Sequence, residues 1–236
     1  MIKAVFFDFY YTLVNYYPPR EQVQAELCRE FGIEVTPEAI RRAMPAADQF
    51  YYMENARLPA SRRPAEEKAA LWTEYELMLL RGAGVDASPE VAFQILAKFG
   101  MKMRAEEDHL VLFDDVEPTL SDLARRGLVL GLVTNVDYDI GPLLERLGLS
   151  ACLRFAVTSQ DVGVGKPDPA IFRAALERAQ ARPEEAIHVG DQYHADVVGA
   201  LNAGIKALFL DREDDFPDVS YSPKIRGLAE VARFLD

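Results

Sequence analysis

Cysteine is nearly absent from this chain. Its 236 residues include two, Cys28 and Cys152, too few for the disulfide framework of a small secreted domain or for a zinc site. Both are expected to be buried thiols in a reducing compartment. Positive charge is also scarce: 26 Lys and Arg stand against 38 Asp and Glu, a net charge of −12. Nucleic-acid affinity comes from neutralising phosphates, so this balance argues against a nucleic-acid binder and describes a solvated acidic surface. No apolar run approaches the ~20 residues of a membrane span. The start, MIKAVFFDF, lacks the build of a signal peptide. A cytoplasmic protein without a membrane partner is expected. Several catalytic signatures are missing too. There is no G-x-S-x-G for a serine hydrolase and no G-x-G-x-x-G. Gly163-Val164-Gly165-Lys166 fails as a phosphate loop, because Gln160 sits where the first glycine belongs and Pro167 follows the lysine. The run from Asp211 to Asp215 lacks the glycine and the glutamate of a calcium loop and reads as a solvated turn.

What is present is a pattern of two periods. IKAVFF, residues 2–7, is a continuous apolar run ending at Asp8, as in a strand buried on both faces. From about residue 20 to 105 the apolar spacing is helical. Val23, Leu27 and Phe31 share a face that Gly32 ends; a stretch near 37–40 is interrupted at Pro45; Leu71, Tyr75, Met78 and Leu79 form a third stripe; and Ser88-Pro89 opens a fourth helix carrying Val91, Ile95, Leu96 and Phe99. After residue 110 strands and helices alternate. Strands are expected at 128–133, 155–158, 186–189 and 207–210, and helices at 118–126, 140–147, 169–181, 196–203 and 225–235. Alternation of this kind means an α/β, doubly wound parallel sheet. The core is expected to comprise 1–15 and 106–236, with 16–105 an all-helical insertion. The length suits one main domain plus such an insertion.

Ligands in doubly wound sheets bind outside the carboxyl ends of the strands. Asp8, Tyr10 and Thr12 follow the first strand, Thr134-Asn135 follow another, and Asp191 and Asp196 follow Gly190. A further loop carries Lys166. Any one of these acids has an ordinary explanation as a helix cap; the set converging on one edge does not. Carboxylates without His or Cys beside them suit a hard cation such as Mg²⁺. A carboxylate beside that ion can act as a nucleophile toward phosphorus, with a lysine holding charge on the transferring group.

The ordered set Phe7-Asp8-Phe9-Tyr10-Tyr11-Thr12-Leu13, Leu132-Val133-Thr134-Asn135, Gly165-Lys166-Pro167-Asp168-Pro169 and Val189-Gly190-Asp191-Gln192-Tyr193-His194-Ala195-Asp196 resembles the four motifs of the haloacid dehalogenase superfamily of hydrolases. The resemblance implies a Rossmann-like core and a helical cap that closes over a small-molecule substrate. It implies Asp8 as nucleophile and Mg²⁺ ligand, Tyr10 supplying a carbonyl to the metal, Asp191 as a second metal ligand, and Asp196 beside the metal or Lys166. Thr12, Thr134, Asn135 and Lys166 would handle the phosphate. Two departures stand out. Tyr10 occupies the position where the phosphatases of the superfamily carry a second Asp as general acid, and a phenol of pKa ≈ 10 is a poor base at pH 7. Tyr11 replaces a glycine of the turn. Tyr10 resembles the 2-haloacid dehalogenases, whereas Asp191 resembles the Mg²⁺ phosphatases and has no task in a metal-free dehalogenase. The expected function is a Mg²⁺-dependent phosphatase of a small phosphate ester, monomeric or homodimeric. A 2-haloacid dehalogenase and a degenerate ligand-binding member are the alternatives. His109 and His188 are expected to be structural, and the cap arginines Arg20, Arg41 and Arg42 to be ordinary surface residues.

Overall fold

The computed structural model describes residues 1–105, 110–216, 219–221 and 223–236. His109 therefore lies outside the described residues. The chain divides into two compact units, Met1–Asn15 with Val111–Asp236, and Tyr16–Leu110.

The first unit is a six-stranded sheet. Its strands are β1 (Ala4–Phe7), β4 (Val129–Thr134), β5 (Phe155–Thr158), β6 (Ala186–Gly190), β7 (Lys206–Leu210) and β8 (Lys224–Ile225), in the order β5-β4-β1-β6-β7-β8. Every pairing is parallel. β1 lies in the middle and all four of its residues are buried, which is why its sequence is a continuous apolar run rather than an alternating one. The register sets Phe7 level with Leu132 of β4 and with Val189 of β6. The residues that follow these strands therefore emerge side by side. Helices α5 (Val116–Arg125), α6 (Gly141–Arg146), α7 (Ser159–Val162), α8 (Pro169–Ala179) and α9 (Gly199–Asn202) make the connections. Asp168 caps α8, its side chain accepting from the Ala170 N–H, with Pro169 at the first helical position.

Two segments depart from expectation. The helix expected over 196–203 begins as a π-helical turn, Tyr193–Val198, before α9. The last helix is a 3₁₀ segment, Leu228–Phe234, preceded by the short edge strand β8. Strands of two or three residues carry too little pattern to be read, and β2 (Val14–Tyr16) and β3 (Leu110–Leu112), which pair as a separate two-stranded sheet, share that problem.

The second unit holds α1 (Arg20–Glu30), α2 (Pro37–Arg57), α3 (Ala65–Gly82) and α4 (Pro89–Ala105). Of the expected stripes Val23, Leu27, Leu71, Tyr75, Leu79 and Ile95 are buried, whereas Phe31, Met78, Val91, Leu96 and Phe99 are only half-buried. Trp72 stacks on Tyr51 with ring centroids 4.5 Å apart. Pro45 does not end α2, which continues through it to Arg57. Buried Ala43, Met44 and Ala47 pack into the apolar core of this unit and hold the helix across the missing hydrogen bond. Of the two free cysteines, Cys28 is buried, as expected, whereas Cys152 is only half-buried. Among the described residues no helix is long and apolar enough to cross a membrane.

Candidate active site

The site is assembled at the carboxyl ends of β1, β4 and β6. Asp8 directly follows β1, and its N–H donates to the Val189 carbonyl of β6 at 2.9 Å. The Lys166 ammonium donates to Asp8 Oδ1 at 2.5 Å and to Asp196 Oδ1 at 2.6 Å. All three side chains are buried. One carboxylate oxygen from each of Asp8, Asp191 and Asp196 falls in a group whose members lie within 4.8 Å of one another.

Asp196 is the most heavily held member. Its Oδ1 also meets His188 Nε2 at 2.8 Å, and its Oδ2 accepts the Gln192 N–H at 2.9 Å. The π-helical turn folds this carboxylate back onto the end of β6. A Cβ on Gly190 would come within 2.2 Å of the Asp196 carboxyl carbon, so only glycine permits the approach. Thr12 donates to Asp191 Oδ1 at 3.3 Å, and Gln192 Nε2 donates to Asp191 Oδ2 at 2.8 Å.

Burial dominates the electrostatics. It raises Asp8 above the usual carboxylate range, while the Lys166 ammonium pulls the other way. Burial, with the charges of Asp8 and Asp196 added, holds Asp191 well above that range. For Asp196 burial is overcome by the Lys166 charge and the His188 hydrogen bond, and its carboxyl is lowered. Burial would lower Lys166, but the two carboxylates raise it. Burial also lowers His188. Its Nδ1 is buried without a hydrogen-bond partner, which fits a neutral ring donating through Nε2. Three acids thus face one ammonium, and Asp191 is the one left uncompensated. An all-oxygen, surplus-negative donor set of this kind fits a hard divalent cation.

The expected site residues fall into two groups. Asp8, Lys166, Asp191 and Asp196 come together. Thr134 ends β4 and is buried beside Thr158 of β5. Thr12, expected at the phosphate, instead has its hydroxyl on Asp191. Asn135, also expected there, is engaged by the main chain of Lys166: its Nδ2 donates to the Lys166 carbonyl at 2.9 Å and its Oδ1 accepts the Lys166 N–H at 2.7 Å. It fixes the lysine loop. The Tyr10 hydroxyl lies 2.6 Å from that of Tyr138. Tyr11 adopts φ 59°, the left-handed conformation usually left to glycine. His194 is exposed, and Asp139 caps the turn into α6 by accepting the Gly141 N–H at 2.9 Å. Arg20 bonds within the helical unit, to Tyr75 at 2.6 Å and Asp48 at 3.3 Å. Asp211 is not in a solvated turn. It is buried, accepts the Asp215 N–H at 2.8 Å and pairs with Lys224 at 2.9 Å. Sequence reading missed the link from His188 to Asp196. Its only signal is strand parity, which puts His188 on the same face as Gly190.

A parallel α/β sheet with a buried acid–lysine cluster at its carboxyl edge fits a hydrolase. The chain matches the model of the haloacid dehalogenase-like hydrolases over residues 2–204, and it belongs to that family. It is 31% identical to a phosphoserine phosphatase of Thermus thermophilus, with 98% of each chain covered. It is also 31% identical to a glyceraldehyde 3-phosphate phosphatase of Methanopyrus kandleri, over 100% of this chain and 99% of that one. Among solved structures it is similar to a 2-haloacid dehalogenase from Pseudomonas syringae pv. Tomato, at 29% identity and a TM-score of 0.59, over 100% of this chain and 98% of that one.

Proposed function

We propose that the protein is a Mg²⁺-dependent phosphatase of a small phosphorylated metabolite. The observation that carries this reading is Asp191, drawn into one cluster with Asp8 and Asp196 and left with more negative surroundings than Lys166 can offset. Asp8, Asp191 and the Tyr10 main chain would hold the ion, with Asp196 supporting Lys166. When bound, the ion supplies positive charge to the phosphoryl oxygens.

Asp8 attacks phosphorus, and the bond to the substrate alcohol breaks. Lys166 fixes the attacking carboxylate by its hydrogen bond to Oδ1 and offsets charge on the transferring group. Asp196 and His188 lock the ammonium in place. The departing alkoxide takes a proton, and the Tyr10 hydroxyl, the phenol on the loop that follows Asp8, is the group assigned to donate it. Water then attacks the phosphorus of the aspartyl-phosphate and returns a proton to the Tyr10 phenolate, so that inorganic phosphate leaves and both Asp8 and Tyr10 are restored. Names of the two relatives above support a phosphorylated substrate of three or so carbons. The half-buried and buried free thiols suit a reducing, intracellular setting.

The test measures phosphate release from an aryl phosphate and a panel of small phosphate esters, with Mg²⁺ and with EDTA. Halide release from 2-chloropropionate is followed in parallel. Phosphate release that EDTA abolishes is expected. Tyr10 favours the dehalogenase as second reading, and halide release indifferent to EDTA would install it instead.

A further inference from the structure

Arg212 follows β7 at the same sheet edge and lies in none of the four motifs. Its guanidinium holds two separate stretches of chain. Nη1 donates to Asp115 Oδ2 at 3.0 Å and Nη2 to Asp115 Oδ1 at 2.9 Å, the parallel fork that only arginine can form with a carboxylate. Nη2 also donates to the Thr12 carbonyl at 3.0 Å. The guanidinium lies over the Phe113 ring, 4.0 Å from its centroid. Its side chain is only 16% exposed. Asp115 is oriented in turn by the Leu228 N–H, which donates to Oδ2 at 2.8 Å. The Phe113 N–H donates to the Leu13 carbonyl at 3.2 Å.

The loop that follows Asp8 needs such a restraint. Tyr11 sits in the left-handed region, a conformation that side-chain-bearing residues leave unless their surroundings hold them. Within the loop, the Leu13 and Val14 N–H groups donate to the Phe9 carbonyl at 2.9 and 3.1 Å, and the Tyr11 N–H to the Val14 carbonyl at 2.7 Å. Thr12 is the residue whose hydroxyl reaches Asp191. Its carbonyl is where Arg212 takes hold.

We propose that Arg212 is a positioning residue for the nucleophile loop. Gripped by Asp115 and stacked on Phe113, it anchors the Thr12 peptide, and through it both the turn leaving Asp8 and the hydroxyl that orients Asp191. Its effect on turnover rests on the phosphatase reading; its effect on the loop does not.

The experiment compares full-length wild type with Arg212→Met, Arg212→Lys and Asp115→Asn in three measurements. These are p-nitrophenyl phosphate kinetics at saturating Mg²⁺, thermal melting, and hydrogen exchange of the peptide spanning 9–14 without metal. Arg212→Met is expected to lower kcat by about 10–100-fold with KM within about 3-fold. It should also speed exchange in 9–14 about 10-fold or more, with β4 and β5 unchanged. Arg212→Lys keeps a charge without the fork, so it should recover melting temperature more fully than kcat. Should Arg212→Met fail to fold, Arg212→Lys and Asp115→Asn carry the same test. Wild-type kcat per folded molecule together with unchanged exchange in 9–14 would overturn the clamp. If wild type releases no phosphate, the phosphatase reading falls and the exchange data alone decide the clamp.

Discussion

The proposed mechanism gives Asp8 and Asp191 distinguishable tasks, and substitution separates them. Asp8→Asn removes the attacking oxygen while keeping the Lys166 contact nearly isosteric. Phosphate release from a small ester should fall by at least about 10³-fold, whatever the Mg²⁺ concentration; wild-type-like turnover would sink the nucleophile assignment. Asp191→Asn should instead raise the Mg²⁺ concentration needed for half-maximal turnover by about 10-fold or more, and calorimetric titration of Mg²⁺ should show the same loss. Tyr10 is one of the two residues where this chain departs from the phosphatases it resembles. A correctly placed general acid contributes about 10²–10⁴-fold, and an aspartate matches that task at neutral pH better than a phenol. Tyr10→Asp is therefore expected to raise kcat for an alkyl phosphate more than for p-nitrophenyl phosphate, whose leaving group needs no proton. A uniform change across both substrates would mean that Tyr10 acts by some means other than proton donation.

At the scale of elements, Pro45 offers a measurable conflict between local rule and tertiary packing. A proline inside a helix removes one hydrogen bond and crowds the preceding turn, at a cost of about 3 kcal/mol. α2 accepts this because Ala43, Met44 and Ala47 are buried on either side of it. Pro45→Ala should restore the bond and raise the melting temperature by several degrees; no gain, or a loss, would show that the packing of α2 requires the proline's shape. The same element shows where sequence reading stops. Propensity says break at Pro45, and packing, which is not local, says continue. Long apolar runs such as β1 and the spaced stripes of α1, α3 and α4 were legible because each encodes its burial within a few residues. The glycines that end helices were legible for the same reason: Gly32 and Gly204, for instance, take φ 74° and 78°. In the site, the acids and Lys166 were legible because motif order and strand ends place them together. The partners of Asn135, Thr12 and Arg212 were not. Each bond spans 31 to 200 positions, and no spacing rule reaches that far. Asn135 shares its loop with Thr134 and looks equally suited to phosphate; only the fold reveals that the Lys166 backbone claims it.

For the molecule as a whole, one vulnerability to pH lies away from the acid–lysine cluster, in the helical unit. Glu76 of α3 is 1% exposed, and its Oε1 accepts a hydrogen bond from Gln24 of α1. Burial pushes its carboxyl up to about 8, against the pull of the Gln24 hydrogen bond and the Arg20 charge. Burial, with the nearby Glu76 charge, pushes the Cys28 thiol up to about 12. The sign follows from proton counts. Between the ordinary carboxylate value of 4.5 and about 8, the folded protein keeps a proton on Glu76 that the unfolded chain releases. Stability therefore falls as pH rises through that window, and the loss is complete once the folded carboxyl is also ionised. At about 1.4 kcal/mol per pKa unit the loss amounts to about 3–5 kcal/mol. A glutamine keeps the shape and the hydrogen bond but cannot ionise. Melting of wild type and Glu76→Gln at pH 4.5, 7 and 9 should thus give similar temperatures at the acid end and a gap of about 6–20 °C in favour of the variant at the alkaline end. Catalysis measured at 25 °C should be unchanged, since Glu76 belongs to the unit that contains none of Asp8, Lys166, Asp191 and Asp196. Parallel pH curves for the two proteins would mean that Glu76 ionises in the folded state as freely as in the unfolded chain, with Gln24 and Arg20 together compensating the buried charge.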